Sequence, residues 1–322
     1  MKFNGMEMGC FAMGTSRAGR YYDGKEADAL FGAFMDNGGK AIDTAHVYAD
    51  WIPGERSRSE RCIGDFILRS GRRDDIFLIT KGGHPELNGH GYNGDDLHKP
   101  RLNRDEMQKD LEGSLEKLHT DHIDLYFYHR DDPSREEGEL IETMEEFVRE
   151  GKILHYGCSN WKLPRIRKAQ EYAAQHGYAG FSANQALFNL GTLKEDPQWD
   201  DTCVTADREM LGYHEKNPEF LFMPYSAAAN GFFHKLIRDG EEEVKKAPYA
   251  GAYNTWIGKQ IKALAEKRNC TVTQVLLGYF MTFEMSVLPL YQSSEISRIL
   301  EAAETSRICF DKEDFRFAQI LR

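Results

Sequence analysis

A chain of 322 residues is long enough for two ordinary domains, or for one α/β barrel, which takes roughly 250 residues plus insertions. With 41% hydrophobic and 12% aromatic residues it can bury a sizeable core, which excludes a disordered chain. Forty-one basic against 52 acidic residues leave a formal charge of −11, which argues against non-specific binding to nucleic acid or anionic membrane but is compatible with a local basic pocket for an anionic ligand.

The six cysteines (Cys10, Cys62, Cys158, Cys203, Cys270 and Cys309) are scattered without CxxC spacing, the usage of a reduced, intracellular protein. Met1 to Gly14 makes a poor signal peptide because Glu7 interrupts it. The most apolar stretch, Val275 to Tyr291, is broken by Glu284 and Pro289 and reads as a buried helix running into a strand. These features predict a cytoplasmic protein that does not span a membrane.

In chain order the pattern is strand then helix, repeated. Met6 to Met13 is the expected first strand, followed by a helix from Lys25 to Asp36 that Asn37-Gly38-Gly39 stops. Ala41 to Asp43 is the second strand, and the next helix is expected near Ser59 to Leu68. Ile76 to Lys81 reads as a buried parallel strand. A helix from Asn103 to His119 begins with a capping box between Asn103 and Glu106. Ile123 to His129, Lys152 to Gly157, Phe181 to Asn184, Phe220 to Pro224 and Val287 to Leu290 supply the remaining strands. Helices follow them near Glu139 to Arg149, Leu163 to Ala174, Ala206 to Lys216, Trp256 to Lys267 and Glu295 to Glu304. Thr271 to Gln274 is a second capping box, and Asp311 to Leu321 is read as a terminal helix.

Eight strands alternating with helices specify a (β/α)8 TIM barrel, here with extra helices after strand seven and at the C-terminus. The alternative, an open doubly wound sheet, would show a GxGxxG turn after its first strand, and none is present. Without a linker or short-period repeat, residues 1–322 read as one domain.

A barrel places its chemistry beyond the C-terminal ends of its strands. Asp43 ends the second strand, Lys81 the third and His129 the fourth. Cys158-Ser159-Asn160, Gln185, Tyr225-Ser226 and Ser293-Ser294 follow strands five to eight. Tyr48 lies five residues beyond Asp43. A tyrosine, with an ordinary pKa of about 10, serves as an acid or base near neutral pH when a cation stabilises its phenolate. Lys81 is that cation, and a buried lysine calls for a carboxylate partner, here Asp43. The expected effect of the pair is to lower the Tyr48 pKa.

In these residues the chain resembles the aldo-keto reductase family over essentially its whole length. Asp43-Thr44-Ala45-x-x-Tyr48, Ser59-Glu60-x-x-Ile63-Gly64, Thr80-Lys81 and Ile123-Asp124-Leu125-Tyr126-x-x-His129 match family motifs in order. Val148 to Ile153 with Gly157-x-Ser159-Asn160, Asn184-Gln185-x-x-Phe188-Asn189 and Pro224-Tyr225-Ser226 continue the match. The resemblance implies a catalytic tetrad of Asp43, Tyr48, Lys81 and His129 in an NAD(P)H-dependent reductase of aldehydes or ketones. It further implies that Ser159, Asn160 and Gln185 hold the nicotinamide amide and that Tyr225 stacks on its ring. Gly14, Thr15, Asp43, Ser226, Gln292, Ser293 and Arg298 complete the cofactor set, with Ser293 and Arg298 at the adenosine 2′-phosphate. Gln292 replaces a lysine common in the family and Ala302 an asparagine, which weakens the preference for NADP(H). NADP(H) is nevertheless expected over NAD(H), with a small carbonyl or polyol as the other partner.

Trp51, Trp161 and Trp199, all in mouth-side loops, are candidate substrate contacts, as are Arg130 and Asp131; these last two read equally well as a solvated loop pair. His84, His90 and His98 with Asp95 and Asp96 share a loop, but their spacing matches no metal site and no metal is expected. Glu241-Glu242-Glu243 is expected on the surface, and His46 to bond locally in its loop. Two other readings remain: a catalytically silent nucleotide-binding subunit on the same barrel, and a metal-dependent hydrolase using the histidine-bearing loop.

Overall fold

The computed structural model describes residues 2–3, 5–87, 96–194 and 200–321. Eight parallel strands form one sheet: β1 Ala12–Gly14, β2 Ala41–Asp43, β3 Phe77–Gly82, β4 Ile123–Tyr128, β5 Ile153–Ser159, β6 Ala183–Gln185, β7 Leu221–Phe222 and β8 Leu290–Tyr291. Neighbours run β8-β1-β2-β3-β4-β5-β6-β7. The ring closes because Phe222 N–H donates to Ser286 O, Leu288 N–H to Phe222 O and Leu290 N–H to Pro224 O, each at 2.9 Å. The chain is therefore a (β/α)8 barrel, as the alternation of elements predicts.

Side chains alternate across a strand, and this period sorts each strand into two cores. Ala12, Ala41, Phe77, Ile79, Leu125, Phe127, Ala183 and Leu221 fill the barrel interior. Met13, Ile42, Leu78, Tyr126, Tyr128 and Cys158 face outward onto the helices. The helical layer comprises α1 Gly24–Asp36, α2 Arg58–Ser70, α3 Arg104–Leu118, α4 Glu137–Arg149, α5 Leu163–His176 and α6 Arg208–Lys216. After β7 come α7 Phe232–Asp239, α8 Glu241–Val244, α9 Ala252–Arg268 and α10 Val272–Phe280, and after β8 comes α11 Ile296–Ala303. Glu241, Glu242 and Glu243 are exposed on α8. Helix α2 approaches the end of α3 so closely that a Cβ on Gly64 would lie 1.9 Å from Lys117 O. Only glycine fits there. None of the described helices is long and apolar enough to cross a membrane.

Three local expectations differ from the structure. Met6 to Met13 is not one strand: Met6–Glu7 pairs antiparallel with Lys2–Phe3, and Gly9, at φ 78°, turns the chain before β1. That hairpin places Phe3 and Met8 in the interior cluster, with the Phe3 ring edge-on to Phe77 at 5.8 Å. An apolar run broken by glycine thus supplies both a plug and a strand. The C-terminal helix is shorter and tighter than expected, a 3-10 helix over Arg316–Leu321. At the start of α3, Asn103 accepts from Glu106 N–H at 3.0 Å, but the Glu106 carboxylate returns to the Asn103 amide group, not to its backbone. Thr271 and Gln274 do form both arms of their box.

Candidate active site

The interior parity of the strands carries straight into the mouth. In β3, Phe77 and Ile79 face inward, and two residues on so does Lys81; Leu125 and Phe127 are succeeded by His129, and Ala41 by Asp43. The same count brings Ser159 and Gln185 to the cavity above β5 and β6 and sends Asn184 outward, where its amide group lies 3.2 Å from His214. A cavity of about 750 Å³ occupies this mouth, lined by Asp43, Tyr48, Lys81 and His129 together.

Lys81 and Asp43 are each about 1% exposed, and Lys81 Nζ donates to Asp43 Oδ2 at 2.7 Å. The ammonium also donates to Thr44 O at 2.7 Å and to the Tyr48 hydroxyl at 3.3 Å, while Asp43 Oδ1 accepts from Gln185 Nε2 at 2.6 Å. Burial pulls the Lys81 pKa down, but Asp43 and Tyr48 outweigh it and hold the value above the ordinary one. Tyr48 is partly open to the cavity, and its ring packs edge-on to His129 at 5.7 Å. Here the expected direction reverses. Desolvation raises the Tyr48 pKa above that of a free phenol, and the opposing pull of Lys81 does not cancel it. The hydroxyl consequently keeps its proton at neutral pH. His129 is held well below its ordinary value, first by burial and then by His84, Arg130 and Lys81, so its imidazole is neutral.

The residues expected at the cofactor all line the same cavity: Gly14, Thr15, Asp43, Ser159, Asn160, Gln185, Tyr225, Ser226, Gln292, Ser293 and Arg298. Several are already bonded to one another. Thr15 Oγ1 donates to Asp43 O at 2.8 Å, and Gln292 Oε1 accepts from Ser16 Oγ at 3.0 Å. Asn160, at φ 61°, donates to His129 O at 3.3 Å and accepts from the Tyr225 hydroxyl at 2.8 Å. Ser293 does not begin α11; its Oγ accepts from Glu295 N–H at 3.0 Å just ahead of the helix. Arg298 pairs with Glu295 at 3.1 Å.

The substrate candidates separate. Trp51 lines the cavity, its ring centroid 6.1 Å from that of Tyr48. Arg130 also lines it, tied to Asp200 at 2.7 Å and donating to Thr202 Oγ1 at 2.8 Å and His129 O at 2.9 Å. Asp131 instead pairs with Arg165 at 2.9 Å and leaves the cavity wall to its neighbour. Trp161 is fully buried in the helical layer, stacked on Tyr128 at 5.9 Å, with its indole N–H donating to Arg130 O; an indole that size is held by core packing, not by the mouth. Trp199 lies outside the described residues, as do His90 and Asp95. In the histidine-bearing loop, His98 pairs with Asp201 at the surface and His84 is buried against His129; among the described residues no group of three such side chains could hold a metal. His46 reaches beyond its own loop, lying 3.7 Å from both Glu60 and Asp110.

Six further residues, none of them among the expected site residues, also line the cavity: Arg17, Asp200, Cys203, His234, Lys235 and Arg238. A signal was present. His234, Lys235 and Arg238 fall on α7, the first helix after β7, and barrels frequently bind phosphate with the loops after strands seven and eight and a short extra helix.

The aldo/keto reductase family model matches residues 8–321. Among similar proteins is the norsolorinic acid reductase of Aspergillus flavus, 24% identical over 293 residues covering 89% of this chain and 69% of that protein. The aldo-keto reductase str7 of Strobilurus tenacellus is 28% identical, covering 85% of this chain and 76% of the other. An aryl-alcohol dehydrogenase of Pestalotiopsis microspora is 26% identical, covering 81% and 63%. With a barrel of this topology and a family match over nearly its whole length, the chain belongs to the aldo/keto reductase family, oxidoreductases that reduce carbonyl groups.

Proposed function

We propose that this protein reduces an aldehyde or ketone of a small molecule with a nicotinamide cofactor, NADPH in preference to NADH, and that Tyr48 is the general acid. The observation that carries the reading is the convergence of Asp43, Lys81, Tyr48 and His129 on one cavity, with Lys81 bridging Asp43 and the Tyr48 hydroxyl.

The donor set fits a dinucleotide. The same cavity is lined by the tetrad and by Arg17, Lys235, Arg238 and Arg298, cations suited to phosphates, so the lysine missing at Gln292 has substitutes. Ser159, Asn160 and Gln185 would hold the nicotinamide amide, and the Tyr225 ring would meet the nicotinamide face. The bound nicotinamide supplies hydride to the carbonyl carbon. Tyr48, which burial keeps protonated, gives its proton to the carbonyl oxygen, so that hydride and proton together make the alcohol. Lys81 then stands beside the resulting phenolate and Asp43 holds Lys81 in place. Neutral His129 donates a hydrogen bond that polarises and orients the carbonyl. Relatives named for norsolorinic acid and for aryl alcohols make aromatic carbonyls the first substrates to try, beside keto-sugars.

A panel of such carbonyls, followed by loss of reduced-cofactor absorbance with NADPH and NADH in parallel, tests the reading. Tyr48→Phe should lower kcat by about 10²- to 10⁴-fold while cofactor affinity stays unchanged. Near-native turnover in that variant would remove Tyr48 from its role. Inactivity of the wild type across the panel, with cofactor still bound, would favour a silent nucleotide-binding subunit. Equal or tighter NADH binding would overturn the cofactor ranking.

A further inference from the structure

His84 is buried, and its ring lies 4.8 Å from that of His129, tilted by 57°. The contact joins the walls of two cavities. His129 lines the 750 Å³ cavity, and His84 lines a second one of about 490 Å³ whose wall also carries His46, Asp50, Arg101 and Asp110.

The chemistry of each ring follows from its contacts. His84 Nδ1 is 2.7 Å from Pro85 O, and because a carbonyl only accepts, that nitrogen bears the proton. Burial, then Arg130, pushes the His84 pKa down to about 3, which leaves Nε2 as a lone pair. His129 Nδ1 is buried without a hydrogen-bond partner among the described residues. A buried N–H with no acceptor is costly, whereas an unmatched lone pair is tolerated more readily. The His129 proton therefore belongs on Nε2, the nitrogen left to face the cavity. The groups around this ring are Lys81 with its partner Asp43, Arg130 with its partner Asp200, Tyr48 and His84. A carboxylate or water reaching Nδ1 from the second cavity would draw the proton to that side or charge the ring.

We propose that His84 is a positioning residue: it walls His129 Nδ1 off from the second cavity and so fixes the tautomer in which His129 presents an Nε2 proton to a substrate carbonyl. The proposal rests on the reading of His129 as a donor to that carbonyl, but its first readout is independent of turnover.

Nitrogen-15 NMR of histidine-labelled protein reports the tautomer and titration of His129 directly. Three variants separate the wall from the hydrogen bond. His84→Phe keeps an apolar ring and loses the bond to Pro85; His84→Asn keeps a donor and loses the ring; His84→Ala loses both. Wild type and His84→Phe should show His129 protonated at Nε2 with no titration through the neutral range. His84→Asn and His84→Ala should show it titrating toward the ordinary imidazole value of about 6.5, with a matching new step in kcat against pH and unchanged cofactor affinity. A folded His84→Ala whose His129 keeps the wild-type tautomer and titration would overturn the proposal, as would His84→Phe behaving like His84→Ala. If the tautomer moves as expected but His129→Ala retains full turnover, the donor reading of His129 fails and the wall stands.

Discussion

Replacing Lys81 by methionine removes one charge from a buried pair while keeping a linear side chain of similar reach. In the wild type Asp43 accepts from Lys81 at 2.7 Å and from Gln185 at 2.6 Å. The variant leaves the carboxylate with the Gln185 amide alone, about 1% exposed. Breaking a buried ion pair from one side costs about 3–5 kcal/mol. At about 2.1 cal/mol/K per residue, unfolding 322 residues carries roughly 0.7 kcal/mol/K of entropy, so Tm should fall by roughly 4–7 °C. The loss should depend on pH with a definite sign. Burial already raises the Asp43 pKa with Lys81 present, and without it the folded-state value rises further above the unfolded carboxylate. A carboxyl whose folded pKa is raised destabilises the fold above that pKa, and the cost fades as falling pH protonates it. The Tm gap between variant and wild type should therefore be widest near pH 8 and narrow toward pH 5. Adding Asp43→Asn removes the orphaned charge and should recover much of the stability without recovering turnover. Thermal unfolding followed by circular dichroism at the two pH values measures all of this. If the single and double variants lose the same Tm at pH 8, the carboxylate is not what Lys81 balances.

Other outcomes follow from the same contacts. Burial pushes Asp50 up to about 6, so the folded state loses stability as pH rises from about 4 through 6; Asp50→Asn, which keeps an acceptor for Ser57 N–H, should stabilise the protein at pH 8 by up to about 2–3 kcal/mol and make no difference below about pH 4, as chemical denaturation at both pH values would reveal. Arg298→Ala should weaken NADPH binding by roughly tenfold and spare NADH, whereas Lys235→Ala should weaken both, measured by fluorescence titration; equal effects of Arg298→Ala on the two cofactors would move that arginine away from the 2′-phosphate.

Much of the fold was legible in the order of elements, because a strand buried on both faces and a helix buried on one leave different apolar periods. Boundaries were less so. Nothing local distinguishes Met6–Glu7, which turns back in a hairpin, from Ala12–Gly14, which joins the barrel, except the glycine between them.

At the mouth, the chain alone determined which side chains arrive. Parity along Phe77, Ile79 and Lys81 sends the lysine inward, and the same count delivers Asp43, His129, Ser159 and Gln185. What they become there was decided by the tertiary structure. The tryptophans show it for position: Trp51 faces the cavity and Trp161 the helical layer, though both sit in mouth-side loops. Tyr48 shows it for chemistry. The lysine beside it predicts a lowered pKa, yet enclosure by the barrel raises it, because desolvation sums over every neighbour in space while a motif names only the nearest charge. The basic face of α7 and the contact between His84 and His129 belong to the same class: distances between residues remote in sequence, which only closure of the ring sets.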